Sequence, residues 1–437
     1  MMRLGDIALA CGGWVDPKSA DRFVTSAVID SRDSSVDCLF FALGGGSTDG
    51  HLYVDNVLRN NGMAVVSRGR RRCGIILVEN VEQALLDAAR WRRCNISSRV
   101  IAITGSSGKT TTRLLLTAVL ESTYRVYSTQ GNLNNHLGMP LTILNAPEED
   151  PDIIILELGM NHAGELLLLG EIASPTDCLV TNIGHAHMEF FDTIDDIARA
   201  KAELIRTTAP GGLCVIPVGE EILESTAHNA GLNIRYFGDG GDAWFKEEEH
   251  SCIIYPYRKE LRLQFEGRHN MMNAVSAVLM ADALNVQIER AVEAVAAVTP
   301  YKGRGRIVKA GGLTILDESY NANPDSTLAC LSVLEGIEGS RGAVLGDMRE
   351  LGKDAPIFHR QILQKADSIG LDFMILTGEL YESVKSAAVR TRVFIAEDWK
   401  EALGILEDTA SAECTVLVKG SNSLLLGELV RSIEEGI

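Results

Sequence analysis

Ile101-Ala102-Ile103-Thr104-Gly105-Ser106-Ser107-Gly108-Lys109-Thr110-Thr111 is the stretch that decides the fold. An apolar strand over Val100–Thr104 enters a Gly/Ser loop, and a helix over Thr112–Glu121 leaves it. Backbone N–H groups of such a loop, together with the helix N-terminus, bind phosphate oxygens. Lys109 then neutralises their charge, and the Thr110 hydroxyl can ligate Mg²⁺. The general phosphate-loop spacing wants glycine at 103, where this chain has Ile103. The alternative is a strand–turn–helix with an incidental lysine. Strand, loop, Gly-Lys-Thr-Thr and helix in that order favour phosphate binding.

Three features lie outward of the loop. Asp152–Leu158 reads as a strand ending at Glu157, and a carboxylate there is well placed for a metal held by Thr110. Asn182-Ile183-Gly184-His185-Ala186-His187-Met188-Glu189 follows another apolar run; its two histidines lack a third ligand at zinc spacing, yet one could reach a second Mg²⁺ or the γ-phosphate. Ile194, Ile197, Ala198, Lys201, Leu204 and Ile205 fall on one helix face. A lysine inside that stripe must snorkel, find a partner or lose its charge, and a neutral buried amine can be chemically modified.

Short apolar runs and glycine-rich turns over the first 80 residues suggest a small α/β domain. The helix over 81–94 carries Arg90–Arg93, read, like Arg68–Arg72, as solvated surface. From Arg99 continuous apolar strands alternate with helices, the pattern of a parallel sheet covered on both faces. After Gly303 the rhythm restarts, giving domains over 1–80, 81–302 and 303–437. The 437 residues fit three domains, and 46% hydrophobic with 23% charged residues excludes a disordered chain. With 41 Lys+Arg against 59 Asp+Glu, the net charge of −18 argues against nucleic acid or an anionic membrane as partner. No apolar run is long enough to span a bilayer, and no signal peptide opens the chain. Nine cysteines without a CxxC pair suit free thiols in a reducing compartment. A cytoplasmic monomer is the expectation.

Together these pieces resemble the Mur ligases, the ATP-dependent amide-forming enzymes of bacterial cell-wall precursor synthesis. The resemblance spans nearly the whole chain and implies a small uridine-nucleotide domain, a central P-loop ATPase domain and a C-terminal Rossmann-like domain. Asp30-Ser31-Arg32 and Asp49-Gly50-His51 match the uridine-nucleotide region, so Ser31, Arg32 and His51 would face that substrate. Gly131–Thr142 is similar to GNxNNxxGxPLT, which places Asn134, Asn135 and Thr142 at substrate. Glu157–Glu165 matches ELGxNxxGE, Ala186–Glu189 matches AHxE and Ala200–Glu203 matches AKxE. The resemblance therefore gives the metal role to His187 rather than His185. It makes Lys201 the carbamylated lysine that supports a second Mg²⁺. His269-Asn270-Met271-Met272-Asn273-Ala274 resembles HNxxNA, with Asn270 and Asn273 near adenine, although Asn270 could equally cap its helix. Arg304 would reach the transferred phosphate on domain closure, and Asp317 joins the nucleotide contacts. Asp317–Pro324 and Gly346–Gly352 point to the branch that adds D-Ala-D-Ala to a UDP-MurNAc-tripeptide, with Tyr320, Asn321 and Asn323 at the dipeptide. Glu318 stands where that family carries a second Asp, and Asn422 where it more often carries arginine.

The implied chemistry starts with attack of a substrate carboxylate on the γ-phosphate, and an amine then displaces phosphate from the acyl phosphate. The protein supplies position and electrostatics, and no nucleophile. A related ligase adding a single amino acid, a P-loop small-molecule kinase and a non-catalytic nucleotide-binding scaffold are the rival readings.

Overall fold

The strand Arg99–Thr104 occupies an inner position in a six-stranded parallel sheet. Its order is Asn233–Phe237, Leu213–Pro217, Asp177–Val180, Arg99–Thr104, Ile153–Glu157, Val126–Ser128. The structure is a computed structural model that describes residues 2–45, 48–149, 151–248 and 251–436. Ile101 and Ile103 face the helices Lys109–Glu121 and Arg268–Ala283, while Val100 and Ala102 join the core on the opposite face. Burial of both faces explains the unbroken apolar run. The chain adds strands first on one side of Arg99–Thr104 and then on the other. The loops that leave Arg99–Thr104 and Asp177–Val180 therefore border the crevice where open α/β sheets bind ligands.

Before this sheet lies a five-stranded one, ordered Trp14–Val15, Ile75–Leu77, Met63–Val66, Cys38–Phe41, Ser26–Val28, parallel except for its first pair. After it comes a six-stranded sheet ordered Arg306–Ala310, Leu313–Glu318, Thr415–Lys419, Arg341–Gly346, Phe373–Thr377, Arg392–Ala396, in which only the first hairpin is antiparallel. The fold is thus a three-domain α/β architecture. Among the described residues no helix is long and apolar enough to cross a membrane.

One sequence expectation needs correction, and one element goes unforeseen. Arg92 and Arg93 are not solvated surface. Arg92 donates to the carbonyls of Ala146 and Pro147, and Arg93 to those of Ala173, Ser174 and Ile96. They satisfy carbonyls at and just beyond the C-terminal ends of Gly138–Leu144 and Glu165–Ala173, where unpaired acceptors favour a cation. Their helix, Val81–Cys94, packs on Leu4–Ala10 and also on Gly138–Leu144, tying the first domain to the second. The unforeseen element is a small antiparallel sheet, Trp244–Glu247, Cys252–Tyr255 and Lys259–Leu261. Its strands are too short and too mixed in polarity to stand out by periodicity.

Candidate active site

The loop between Arg99–Thr104 and Lys109–Glu121 is held from two sides. Asn182 accepts from the Ser107 N–H at 2.9 Å and donates to Ser107 Oγ at 2.7 Å, and Thr181 Oγ1 donates to the Ser107 carbonyl at 2.6 Å. Ser106 Oγ and the Gly184 backbone exchange a donor and an acceptor. Gly105 and Gly108 have φ of 151° and 76°, and a Cβ would strike Thr181 at the first and Asn273 at the second. Asn273 thus packs against the loop, and it reaches Asn270 Oδ1 at 3.4 Å. Asn270 is the third residue of Arg268–Ala283, whose N-cap is Gly267. Its side chain donates to Glu266 O at 2.8 Å, so the alternative helix-cap role is excluded. His269, beside it, is half-buried. Loss of hydration, with Lys419 nearby, pushes its pKa down from 6.5 to about 4.

Glu157 ends the neighbouring strand, 1% exposed. Its carboxylate accepts from Thr110 Oγ1 at 3.0 Å, Asn134 Nδ2 at 2.8 Å and Arg113 Nε at 3.1 Å. Arg113 is itself buried and continues to the carbonyls of Thr129 and Gly131 and to the face of Tyr301. Sequence reasoning missed Arg113. Its signal was available, since it stands four residues after Lys109 and so shares a helix face with the loop lysine. A metal at this spot fits the donors. Two neighbouring oxygens of an octahedral Mg²⁺ lie about 3 Å apart, and Thr110 Oγ1 and Glu157 Oε1 stand 3.0 Å apart.

Two lysines face the same space. Lys109 donates to Gly105 O at 2.8 Å; burial lowers its pKa, Glu157 opposes that shift and Arg304 adds to it. Lys201 is 1% exposed on the helix Ile194–Thr207. Burial, reinforced by the charge of Lys109, holds its amine well below the ordinary lysine value. Among the described residues no hydrogen bond or ion pair reaches its Nζ, so neither snorkelling nor pairing accounts for it. Ile194, expected on the same face, is exposed at the helix start. Glu203 caps another helix: its carboxylate accepts from the N–H groups of Gly164 and Leu167.

The C-terminal domain closes over this floor. His187 Nδ1 lies 2.6 Å from Glu350 Oε2, and the Glu189 N–H donates to Glu350 O at 2.9 Å. His187 and Glu350 both hold left-handed backbone, φ 61° and 62°, a strain that persists only where the surroundings enforce it. The His187 interaction holds the Glu350 carboxyl below its usual range. His185 pairs instead with Asp325, its N–H donating to Oδ2 at 2.6 Å. Arg304 lies over the Tyr320 ring at 3.8 Å, and Asp317 accepts from the Gly303 N–H at 2.8 Å and from Ser319 Oγ at 2.6 Å. Asp317 therefore braces the connection between the second and third domains.

Several residues expected at substrate have local work. Asn135 accepts from the N–H groups of Leu137 and Gly138. Thr142 is buried and donates to Gly138 O. Asn323 caps Pro324–Glu335 in a reciprocal box with Ser326. Asn321 receives the Lys419 ammonium on its carbonyl at 3.0 Å. In the first domain His51 donates from Nδ1 to Asp49 at 2.7 Å, because its Nε2 accepts the Ser67 N–H at 3.1 Å. Arg68 also pairs with Asp49. Ser31 starts a short 3₁₀ turn, and Arg32 folds back on Asp30, whose carboxyl it lowers to about 2.

Comparisons with known proteins agree with this geometry. Residues 103–281 match the Mur ligase middle domain, and residues 303–422 match the Mur ligase, glutamate ligase domain. The chain is 31% identical to the UDP-N-acetylmuramoyl-tripeptide–D-alanyl-D-alanine ligase of Bacillus subtilis, over 97% of this chain and 96% of that one. To the Synechocystis ligase of the same name it is 33% identical, over 95% and 93%. Among solved structures it matches a MurF crystal structure from Acinetobacter baumannii with a TM-score of 0.89 and 30% identity, covering 98% of each chain. It also matches the Thermotoga maritima MurF ligase in complex with ADP, at a TM-score of 0.84 and 26% identity over 94% and 97%.

Proposed function

The chain belongs to the Mur ligase family, and from that premise we infer an ATP-dependent, ADP-forming ligase that joins D-alanyl-D-alanine to UDP-N-acetylmuramoyl-tripeptide in peptidoglycan precursor synthesis. One observation carries the ligase reading over the kinase. A buried lysine without a partner among the described residues, Lys201, sits beside the phosphate-loop lysine under a third domain that presents His187 with a carboxylate.

In the proposed mechanism the loop Gly105–Thr111 and Lys109 hold the phosphates, with Asn270 and Asn273 on the nucleotide side. Thr110 and Glu157 would hold one Mg²⁺, and His187 with Lys201 a second; bound there, they would neutralise phosphate charge and orient the substrate carboxylate. That carboxylate attacks the γ-phosphorus, the bond to the ADP oxygen breaks, and Arg304 meets the charge spreading over the transferred group. The dipeptide amine then attacks the acyl carbonyl and phosphate leaves with the bonding pair. Closure of the third domain excludes the water that would hydrolyse the acyl phosphate. Ser31, Arg32 and His51 take the uridine end, and Tyr320, Asn321 and Asn323 line the dipeptide side. The three domains divide near residues 80 and 302, and nine free thiols suit a cytoplasmic enzyme.

Lys201 is carbamylated in this proposal. Its neutral amine attacks CO₂, a nitrogen–carbon bond forms and a proton leaves, which turns a buried amine into an anionic ligand. In ¹³C-bicarbonate the full chain should show a carbamate carbon resonance that Lys201→Ala lacks. Lys201→Ala should bind ATP yet lose most ligase activity, and an active, unlabelled wild type would overturn the assignment.

The experiment for the function is phosphate release with UDP-MurNAc-tripeptide plus each amine at equal concentration. D-Ala-D-Ala should support turnover, with little from D-glutamate, L-lysine or diaminopimelate. A hydrogen-bonding site rejects amines that leave its groups unpaired more strongly than it rejects a missing methylene. A faster rate with a single amino acid would overturn the dipeptide specificity.

A further inference from the structure

Away from the phosphate loop, three metal-ligating side chains converge in the seam between the second and third domains. His269 is the second residue of Arg268–Ala283, Glu318 ends the strand Leu313–Glu318, and Cys330 lies within the helix Pro324–Glu335. One ligand atom from each lies within 4.8 Å of the other two. All three border a cavity of about 20 Å³ whose remaining wall includes Ile307, Leu316 and Val333. That volume holds one water-sized occupant. The mechanism above uses neither His269 nor Cys330.

We propose that His269, Glu318 and Cys330 form a site for one thiophilic divalent cation of the Zn²⁺ class, bridging the central and C-terminal domains. A nitrogen, a carboxylate oxygen and a sulfur suit zinc, and a water in the cavity completes four-coordination. Mg²⁺ prefers an all-oxygen octahedral set, so the catalytic ion does not compete here. Binding forms a sulfur–metal bond and releases the Cys330 thiol proton to solvent. Lys419 is the outer partner: its ammonium lies 3.9 Å from Glu318 Oε2 and holds the carboxylate in place. Because one ligand belongs to the second domain and two to the third, the bound ion clamps the hinge in the closed arrangement. Turnover needs that hinge to open for product release, so Zn²⁺ acts as a brake.

The test uses chelator-treated full chain and Co²⁺ as a spectroscopic stand-in for Zn²⁺. Wild type should bind one equivalent with a near-ultraviolet thiolate-to-cobalt band and the intense visible bands of a tetrahedral ion. Cys330→Ala should lose the thiolate band and keep its basal Mg²⁺-dependent turnover. It should also need at least about a hundredfold more Zn²⁺ for half-inhibition, since losing even an outer partner of a metal ligand costs about 10–100-fold in affinity. His269→Gln gives a second reading should Cys330→Ala fold poorly: it should keep the thiolate band but weaken binding. No cobalt binding, a thiolate band that persists in Cys330→Ala, or inhibition by Zn²⁺ that neither variant relieves would overturn the site. Each readout is independent of which amine the enzyme joins.

Discussion

The floor of the phosphate site and the seam beneath the third domain are built in opposite ways. On the floor, Thr110, Arg113, Asn134 and Glu157 come from one domain, and the Glu157 carboxylate has every near neighbour paired. In the seam, His187 with Glu350 and His185 with Asp325 join residues of different domains, and the partner side chains are partly exposed. The floor is fixed by strand register before any ligand arrives. The seam exists only while the domains touch, so it can open and close at little cost. A ligase with a hydrolysable intermediate needs both, a preorganised phosphate site and a removable roof.

The largest effect should come from breaking the floor at its charge. Lys109→Ala removes the point charge on the phosphates, and amine-dependent phosphate release should fall by at least about 10³-fold. Circular dichroism should remain that of the wild type. Near-normal release from the folded variant would remove the central claim about the site.

Stability is the second probe. Arg113→Met leaves Glu157 buried without its cation, at a cost of about 3–5 kcal/mol. The urea midpoint should drop accordingly, and Arg113→Met with Glu157→Gln should recover much of it without recovering activity. An unchanged midpoint in Arg113→Met would mean that the floor is not held by this pair.

The seam should answer to acid through His269. His269 has its pKa lowered to about 4, against 6.5 when hydrated. A depressed value contributes stability present above pH 6.5 and lost as pH falls through 4, because the opened or unfolded chain takes up a proton that the closed one refuses. The full shift is worth about 2–4 kcal/mol. Domain separation followed by scattering or by a fluorescence pair in metal-free protein should rise over that window, and His269→Gln should flatten the response. A flat wild-type profile would show that His269 does not report on closure.

The same contrast decides what the sequence disclosed. Gly105–Thr111 and Glu157 were legible because contiguous motif and strand end carry them, and Lys201 because a cation interrupts an apolar helical stripe. Thr181 and Asn182 carry no pattern that separates a clamp from ordinary loop polarity, and Arg113 carries only its four-residue spacing from Lys109 on one helix. Asn135 and Asn323, expected at substrate, each also hold a local turn or helix start, a role that Asn favours anywhere and that no sequence pattern separates from ligand binding. The Glu350 and Asp325 partnerships span 163 and 140 residues, and no local periodicity records such a pairing. The Arg92 and Arg93 clamp was lost the same way, as its acceptors are carbonyls and carbonyls have no sequence signature.

The smallest of the expected effects is the most discriminating, because it couples seam to floor. Glu350 accepts from His187 Nδ1 and leaves Nε2 with the lone pair a metal requires. Only a closed third domain supplies that carboxylate, so Glu350 is a positioning residue that makes metal affinity depend on closure. Glu350→Ala should raise the Mg²⁺ concentration for half-maximal turnover by about 10–100-fold, as loss of such a partner does elsewhere. Saturating Mg²⁺ should restore part of the rate. Glu350→Gln, whose amide oxygen still accepts, should fall between the two, and nucleotide binding to the floor should stay at the wild-type level throughout. Mn²⁺ binding followed by electron paramagnetic resonance, with a non-hydrolysable ATP analogue, gives the same ranking without turnover. A Glu350→Ala protein with wild-type Mn²⁺ affinity, or one in which glutamine is no better than alanine, would leave the contact as a latch between domains and nothing more.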